Sequence, residues 1–141
     1  MKKLINWHAN PKLASFAPFV LRVATGLVFL MHGWQKLQGG IPGTAAFLGM
    51  LGFPVPSLFA MLLIAAEVIG GALLILGLYT HHAAKILAFV ALVAFLTVHA
   101  TKGFFAGSCG YEFIMLLFAA AISLSITGPG RWSLASALGK K

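Results

Sequence analysis

Only two carboxylates occur in the 141 residues, Glu67 and Glu112, and each lies within an apolar run. A carboxyl group sheltered from water balances a buried cation or carries a proton to and from a ligand. Three further side chains of the kind that hold a proton or a carbonyl oxygen accompany them. His32 and Lys36 lie in LRVATGLVFLMHGWQKL (21–37), which also holds Arg22, and His99 lies in FLTVHA. Thiol and metal chemistry find less support. The single Cys109 excludes an internal disulfide, a CxxC redox pair and a multi-cysteine metal or iron–sulfur site within one chain. Ligation of haem by His32 and His99 would rest on two imidazoles and nothing else, so haem is not expected.

These residues must be positioned by apolar helices. The chain is 60% hydrophobic and 9% charged, with a mean hydropathy of +0.98. Four continuous apolar blocks stand out, near 18–37, 57–79, 83–101 and 111–127. About 20 apolar residues suffice to cross a bilayer as a helix. A β-barrel would need alternating segments of about 10 residues instead. The expectation is an all-α integral membrane four-helix bundle in one domain spanning residues 1–141. The segment TAAFLGMLGFPVP is too apolar for a solvated loop and too short to span, so 43–53 is expected to lie at the outer interface as a short helix.

The net charge of +8 comes from a scarcity of acids, with ten scattered Lys and Arg residues against two Glu. It does not call for a nucleic-acid partner; the lipid bilayer is the expected surrounding. Lys2, Lys3 and Lys12 precede the first block, Lys85 follows His81 and His82 between the second and third, and Arg131, Lys140 and Lys141 follow the fourth. The opposite loops hold only Lys36 and Lys102, which places both termini in the cytoplasm by the positive-inside rule. A cleaved signal peptide is not expected, because the basic start runs into the polar INWHANPK.

An ionisable group at mid-depth costs about 2.5–3.5 kcal/mol on insertion scales and turns toward the bundle interior or a polar cavity. Glu67, ten residues into the second block, is such a group. Helical side chains lean toward their own N-terminus, so His32 on the first span and Glu67 on the antiparallel second span lean together. His32 is therefore the expected partner. Lys36 either joins them or snorkels to the interface, His99 is either a ligand group or a hydrogen-bonded core residue, and Glu112 also suits a helix N-terminus. Arg22, toward the cytoplasmic end, either snorkels or pairs with backbone carbonyls. Ala66, Gly70 and Gly71 form a small-residue strip for close helix contact. The expected site is an outer-half polar pocket bounded by His32, Lys36, Glu67, His99 and Glu112 and roofed by 43–53. Phe29, Trp34 and Phe104 are candidates to cover a ring.

The elements RVATGLVFLMHGWQK, FLGMLGFPVP, AEVIGGALLILGLYT, the late His99, Glu112 and GPGRWSL, in that order over about 16–134, resemble the DoxX family of small four-helix membrane proteins. Arg22, His32, Gly33, Lys36, Glu67, Gly70, Gly71, His99 and Glu112 are the matching positions. The resemblance implies a bacterial inner-membrane bundle. Some of its members are membrane subunits of a thiosulfate:quinone oxidoreductase, others accompany redox or oxidative-stress proteins, and distant ones are assembly factors. A redox-linked subunit holding a quinone is therefore one expectation; with no flavin motif or Cys pair, it would need a redox protein partner. A non-catalytic scaffold or assembly partner is the alternative.

Overall fold

The computed structural model describes residues 14–139; the basic residues Lys2, Lys3, Lys12, Lys140 and Lys141 lie outside them. Among the described residues the chain is all-helical. Helix α1 (Ala17–Gln38) is followed by the short α2 (Ile41–Met50), then α3 (Pro56–Leu76) and α4 (Thr80–Ala94). Helix α4 continues as a π-helical turn, Phe95–His99, and a 3-10 turn, Ala106–Ser108, leads to α5 (Glu112–Thr127) and the single turn α6 (Leu134–Ala137). Helix α1 packs along α3 and α4 along α5, while α3 meets α4 and α1 meets α5, so the four long helices close a ring.

Three of these helices, Ala17–Gln38, Pro56–Leu76 and Thr80–His99, are long and apolar enough to cross a membrane. Helix α5 is equally apolar but has 16 residues, about 24 Å at 1.5 Å per residue, and a hydrocarbon core is about 30 Å thick. The element ends follow local chemistry. Helix α3 stops at Leu76 rather than at Tyr79, because Gly77 takes a left-handed conformation, φ 69°. Gly77 N–H then donates to the Leu74 carbonyl and Leu78 N–H to that of Leu73, the reciprocal pair that closes a helix end. Helix α2 begins at Ile41, ahead of the expected 43, since Pro42 in its first turn loses no hydrogen bond.

Glycine decides how closely α1 and α3 approach. A Cβ on Gly26 would lie 2.7 Å from the Gly71 carbonyl oxygen, one on Gly71 would lie 2.7 Å from the backbone nitrogen of Leu30, and one on Gly33 would lie 2.9 Å from the Cβ of Glu67. The two backbones therefore touch along about two turns, as small residues permit between membrane helices. Gly70 faces the other way, toward Leu87 of α4 at 3.1 Å. Behind this seam Phe29, Leu74, Ala84, Leu87, Ala91, Leu117 and Leu124 form the core. Helix α2 has its own smaller cluster, Ala45 and Leu48 against Ala60 of α3.

Substituting Gly71 by Leu should lower the thermal midpoint of the detergent-solubilised protein by the equivalent of about 1–3 kcal/mol or more, the usual cost of overfilling a packed site. Gly49→Ala, where a Cβ meets only Pro56 at 3.5 Å, should leave the midpoint unchanged or raise it. Equal midpoints for the two variants would contradict a backbone-to-backbone crossing.

Candidate functional site

On α1 the buried positions are Arg22, Thr25, Gly26, Phe29 and Gly33, and Lys36 is the next step along the same stripe. This stripe lies on α3 through the glycine seam, which leaves Arg22 near one end of the crossing and Lys36 at the other. At about 1.5 Å per residue they stand about 21 Å apart.

At the C-terminal end of α1, the Lys36 Nζ donates to both carboxylate oxygens of Glu67, at 2.8 and 2.7 Å. Glu67 is buried, with 7% of its side chain exposed, whereas Lys36 retains 28%. The expected pairing of His32 with Glu67 is replaced by this ion pair. His32 has the right level but the wrong direction. At 100° per residue it points about 80° away from the line of Arg22, while Gly33 lies within about 20° of it. His32 is consequently exposed and folds back on its own helix, its Nδ1–H donating to the Val28 carbonyl at 2.9 Å. Lys36 starts about one turn farther out and leans inward with a long stem, so its ammonium reaches the carboxylate that leans outward.

Arg22, at the other end, pairs with carbonyls and does not snorkel. It is 1% exposed. Its Nη1 donates to Leu74 O at 2.9 Å and also to Ile75 O, its Nε to Pro129 O at 3.2 Å, and its Nη2 to Trp132 O. The Phe19 ring covers it at 5.1 Å. Leu74 and Ile75 are among the last residues of α3, whose carbonyls lack partners within the helix.

His99 and Glu112 belong to a separate polar group in the loop between α4 and α5. The π-helical turn, with Ala100 N–H donating to Phe95 O, swings His99 so that its Nδ1–H donates to the Cys109 carbonyl at 2.7 Å. Glu112 accepts from Ala106 N–H at 2.7 Å and sits in the first turn of α5, where a negative charge is favoured. Tyr111 stands edge-on to both Phe95 and Phe104. No hydrogen bond or ion pair among the described residues joins this group to Lys36 and Glu67. Of the three aromatic candidates, Phe104 packs here, Phe29 is core, and Trp34 is exposed.

Lys36 also borders an open, largely apolar recess of about 260 Å³ lined with Gly39, Gly40, Gly43, Thr44 and Phe47. Its walls are the end of α1 and the first two turns of α2. Phe47 and the three glycines were not singled out from the sequence. The available signal was QGGIPG, a run with more glycine than one helix break requires. His32, Glu67, His99 and Glu112 do not line the recess, so the groups expected in one pocket are divided among an ion pair, the loop between α4 and α5, and the exposed surface of α1. No group of three or more His, Cys, Asp or Glu able to hold a metal occurs among the described residues.

The family model for DoxX matches residues 17–100, a segment that contains the whole α1–α3 seam and both ends of the Lys36–Glu67 pair. The chain belongs to the DoxX family. It is 38% identical over 109 residues, 77% of each chain, to the Bacillus subtilis (strain 168) protein called "Putative oxidoreductase CatD". It is 30% identical to the Escherichia coli (strain K12) inner membrane protein YphA over 82% of this chain and 85% of that one. Inner membrane protein YqjF of the same organism is also 30% identical, over 92% of this chain and 98% of the relative. No solved structure matches significantly. This DoxX protein thus pairs one Lys and one Glu between α1 and α3, while Arg22, His99 and Glu112 take backbone partners elsewhere.

The two partners are unequal, and a mutant cycle should show it. Lys36→Met leaves a buried carboxylate without its cation, whereas in Glu67→Gln the half-exposed Lys36 can swing to the interface. Lys36→Met should therefore cost about 1–2 kcal/mol of stability, the scale of a polar pair between membrane helices, and Glu67→Gln less. The Lys36→Met/Glu67→Gln double variant should recover most of the Lys36→Met loss in thermal melts. Additive losses would show that the two groups are not coupled. Glu112→Gln, which keeps an oxygen for Ala106 N–H, should melt as wild type.

Proposed function

We propose that this DoxX protein is a redox-linked subunit of the bacterial inner membrane that holds a quinone-type lipid-soluble ligand against Lys36. One observation carries this reading: Lys36 is at once the partner of the buried Glu67 and a wall of the open recess. An ammonium has three N–H donors. Two are directed to the Glu67 carboxylate, and the third is left to hold a carbonyl oxygen. Glu67, sheltered from water, is placed to hold a proton one hydrogen bond from that oxygen. A bound quinone would supply two-electron chemistry coupled to proton uptake. The rest belongs to the chain: Lys36 orients the carbonyl, Glu67 keeps the ammonium pointed inward, and Phe47 offers a ring face beside it.

The name of the Bacillus subtilis relative as an oxidoreductase supports the redox side of the reading, and those of the two Escherichia coli relatives support an inner-membrane location. Having no flavin motif and one cysteine, the chain depends on a redox protein partner for electrons. A second reading, a scaffold that assembles another protein, draws on Arg22, His99 and Glu112, all of which bond backbone groups.

Native mass spectrometry of the gently extracted protein separates the two readings. Wild type should retain a quinone, and Lys36→Met should hold at least ten times less, since losing a hydrogen bond from a charged donor costs about 1.5–3 kcal/mol. A stoichiometric polypeptide with no quinone in either protein would favour the scaffold. The same reading places the loop at 100–111 outside the cell, with the start of α1 and the end of α5 toward the cytoplasm. The exposed Cys109 should react with a membrane-impermeant maleimide added from the periplasmic side of intact spheroplasts. Labelling confined to inverted vesicles would reverse the topology.

A further inference from the structure

We propose that the end of the bundle where α4 starts and α5 ends is a binding surface for anionic phospholipid, with Lys85 and Arg131 on the headgroup phosphate and Trp132 at the boundary with the acyl chains. This does not depend on the quinone reading, which concerns the opposite end of α1.

Charge is unbalanced here. His81, His82, Lys85 and Arg131 are all exposed, and the chain has only two side-chain carboxylates to offer them. Glu67 is engaged by Lys36 and stands nine residues before the end of α3, about 14 Å along the axis. Glu112 opens α5 and so lies about 22 Å from its last residue, at the far end. The first turn of α4 holds no acid, although a negative charge is most favoured there. Exposed cations with no acid of the chain beside them call for an anion from outside.

The surface is also held in shape. The His81 Nδ1–H donates to the Ser125 carbonyl at 2.8 Å, which ties the first turn of α4 to the last turn of α5. A Cβ on Gly128 would lie 2.8 Å from His81 Nε2, so the chain leaves α5 directly past this ring. Lys85 follows His81 by one turn on the same face, and Arg131 follows Gly128 by three residues, at most about 11 Å of chain. The backbone around Arg131 is tied down. The Pro129 and Trp132 carbonyls accept from Arg22, and the Gly130 carbonyl accepts from Ser133 Oγ. Two cations are therefore presented from fixed backbone on either side of one imidazole.

What lies beside the cations decides the kind of anion. Trp132 is 64% exposed, and Leu134 and Leu138 after it are exposed too. Phe16, from the start of α1, stands edge-on to Trp132. Aromatic side chains of this kind settle at the membrane–water boundary. Free phosphate or an acidic protein surface would meet the cations and leave these apolar groups uncovered. A phospholipid meets both, with its phosphate on Lys85 and Arg131 and its acyl chains against Trp132 and the leucines. Lys85, a turn deeper along α4, reaches the headgroup level through its long stem. A headgroup of net negative charge gains most from such basic residues.

The test is native mass spectrometry of the full-length, delipidated protein titrated with phosphatidylglycerol or phosphatidylcholine, with melting temperature measured in parallel. Wild type should bind phosphatidylglycerol at least about tenfold more tightly than phosphatidylcholine. Most of that preference should disappear between about 0.05 and 0.5 M ammonium acetate, as the charges are screened. Lys85→Gln and Arg131→Gln should each weaken phosphatidylglycerol binding about fivefold, and together more than tenfold. Both side chains are exposed, so the lipid-free variants should melt within a few degrees of wild type. Arg131→Lys, which keeps the charge, and Lys102→Gln, in the loop between α4 and α5, should bind within about twofold of wild type. Equal affinity for the two lipids, affinity independent of salt, or unchanged binding by the double variant would overturn the proposal. So would displacement of the lipid by millimolar inorganic phosphate at constant ionic strength, which would mark a site for free anions. An acidic polypeptide that co-purifies with wild type but not with the double variant, while both bind lipid equally, would assign the surface to a protein instead. If the double variant does not fold, the lipid preference and salt dependence of wild type and the single variants decide.

Discussion

A guanidinium buried to 1% exposure with no carboxylate beside it is the constraint on which this structure turns. Arg22 satisfies itself with backbone carbonyls from two places, the end of α3 and the 129–132 segment after α5. Charged hydrogen bonds are worth more than neutral ones, and an unpaired buried cation is very costly. The three segments are therefore held at one level, and the start of α1 lies on the same side as the ends of α3 and α5. The conformation of Gly77 belongs to the same joint. A Cβ there would meet both the Cβ of Ser133 at 2.5 Å and the Arg22 guanidinium carbon at 2.9 Å. The helix end, its carbonyls and the returning C-terminal segment converge on one cation.

Fixing that end fixes the other. With Arg22 tied to Leu74 and Gly26 seated on Gly71, the antiparallel helices have no freedom to slide, and Gly33 must lie over Glu67. Glu67 then has no room for a side chain directly opposite, since the facing residue is a glycine. The cation that hydrogen-bonds it comes from a turn farther along α1, on the same stripe. The Lys36–Glu67 pair is thus a consequence of register. Its partial exposure is also a consequence, because a lysine reaching in from the helix end keeps part of its side chain exposed. Buried ion pairs contribute little to net stability once desolvation is counted. What this one does is tie the end of α1 to the middle of α3 in a fixed register.

Much of this was legible in the sequence, and the failures have a common form. Hydropathy was enough for the long helices, and the rarity of acids was enough to single out Glu67. Periodicity alone misjudged His32. Level along the helix was inferred correctly from residue number, but direction around the axis depends on which stripe the packing selects, and Gly26 and Gly33 select it by admitting the neighbouring backbone. Boundaries moved for similar local reasons: Gly77 ends α3 early, and Pro42 lets α2 begin early. The division of the polar residues was hidden for another reason. His99 and Glu112 take their partners, Cys109 and Ala106, from loop backbone, and no side-chain pattern announces a backbone acceptor.

The same distinction bears on how polar groups in a membrane chain are read. Arg22, His99 and Glu112 are satisfied by backbone groups, and the geometry that satisfies them is the geometry of the fold. Removing any of them frees a carbonyl or an amide, so their presence is explained without a ligand. Lys36 and Glu67 satisfy one another and free nothing essential to a helix end. A chain needing only stability could place two apolar residues there at no loss, as exchanges of buried ion pairs elsewhere show. An ion pair that folding does not require, beside an open recess against α2, is what distinguishes this corner of the bundle from its equally polar neighbours.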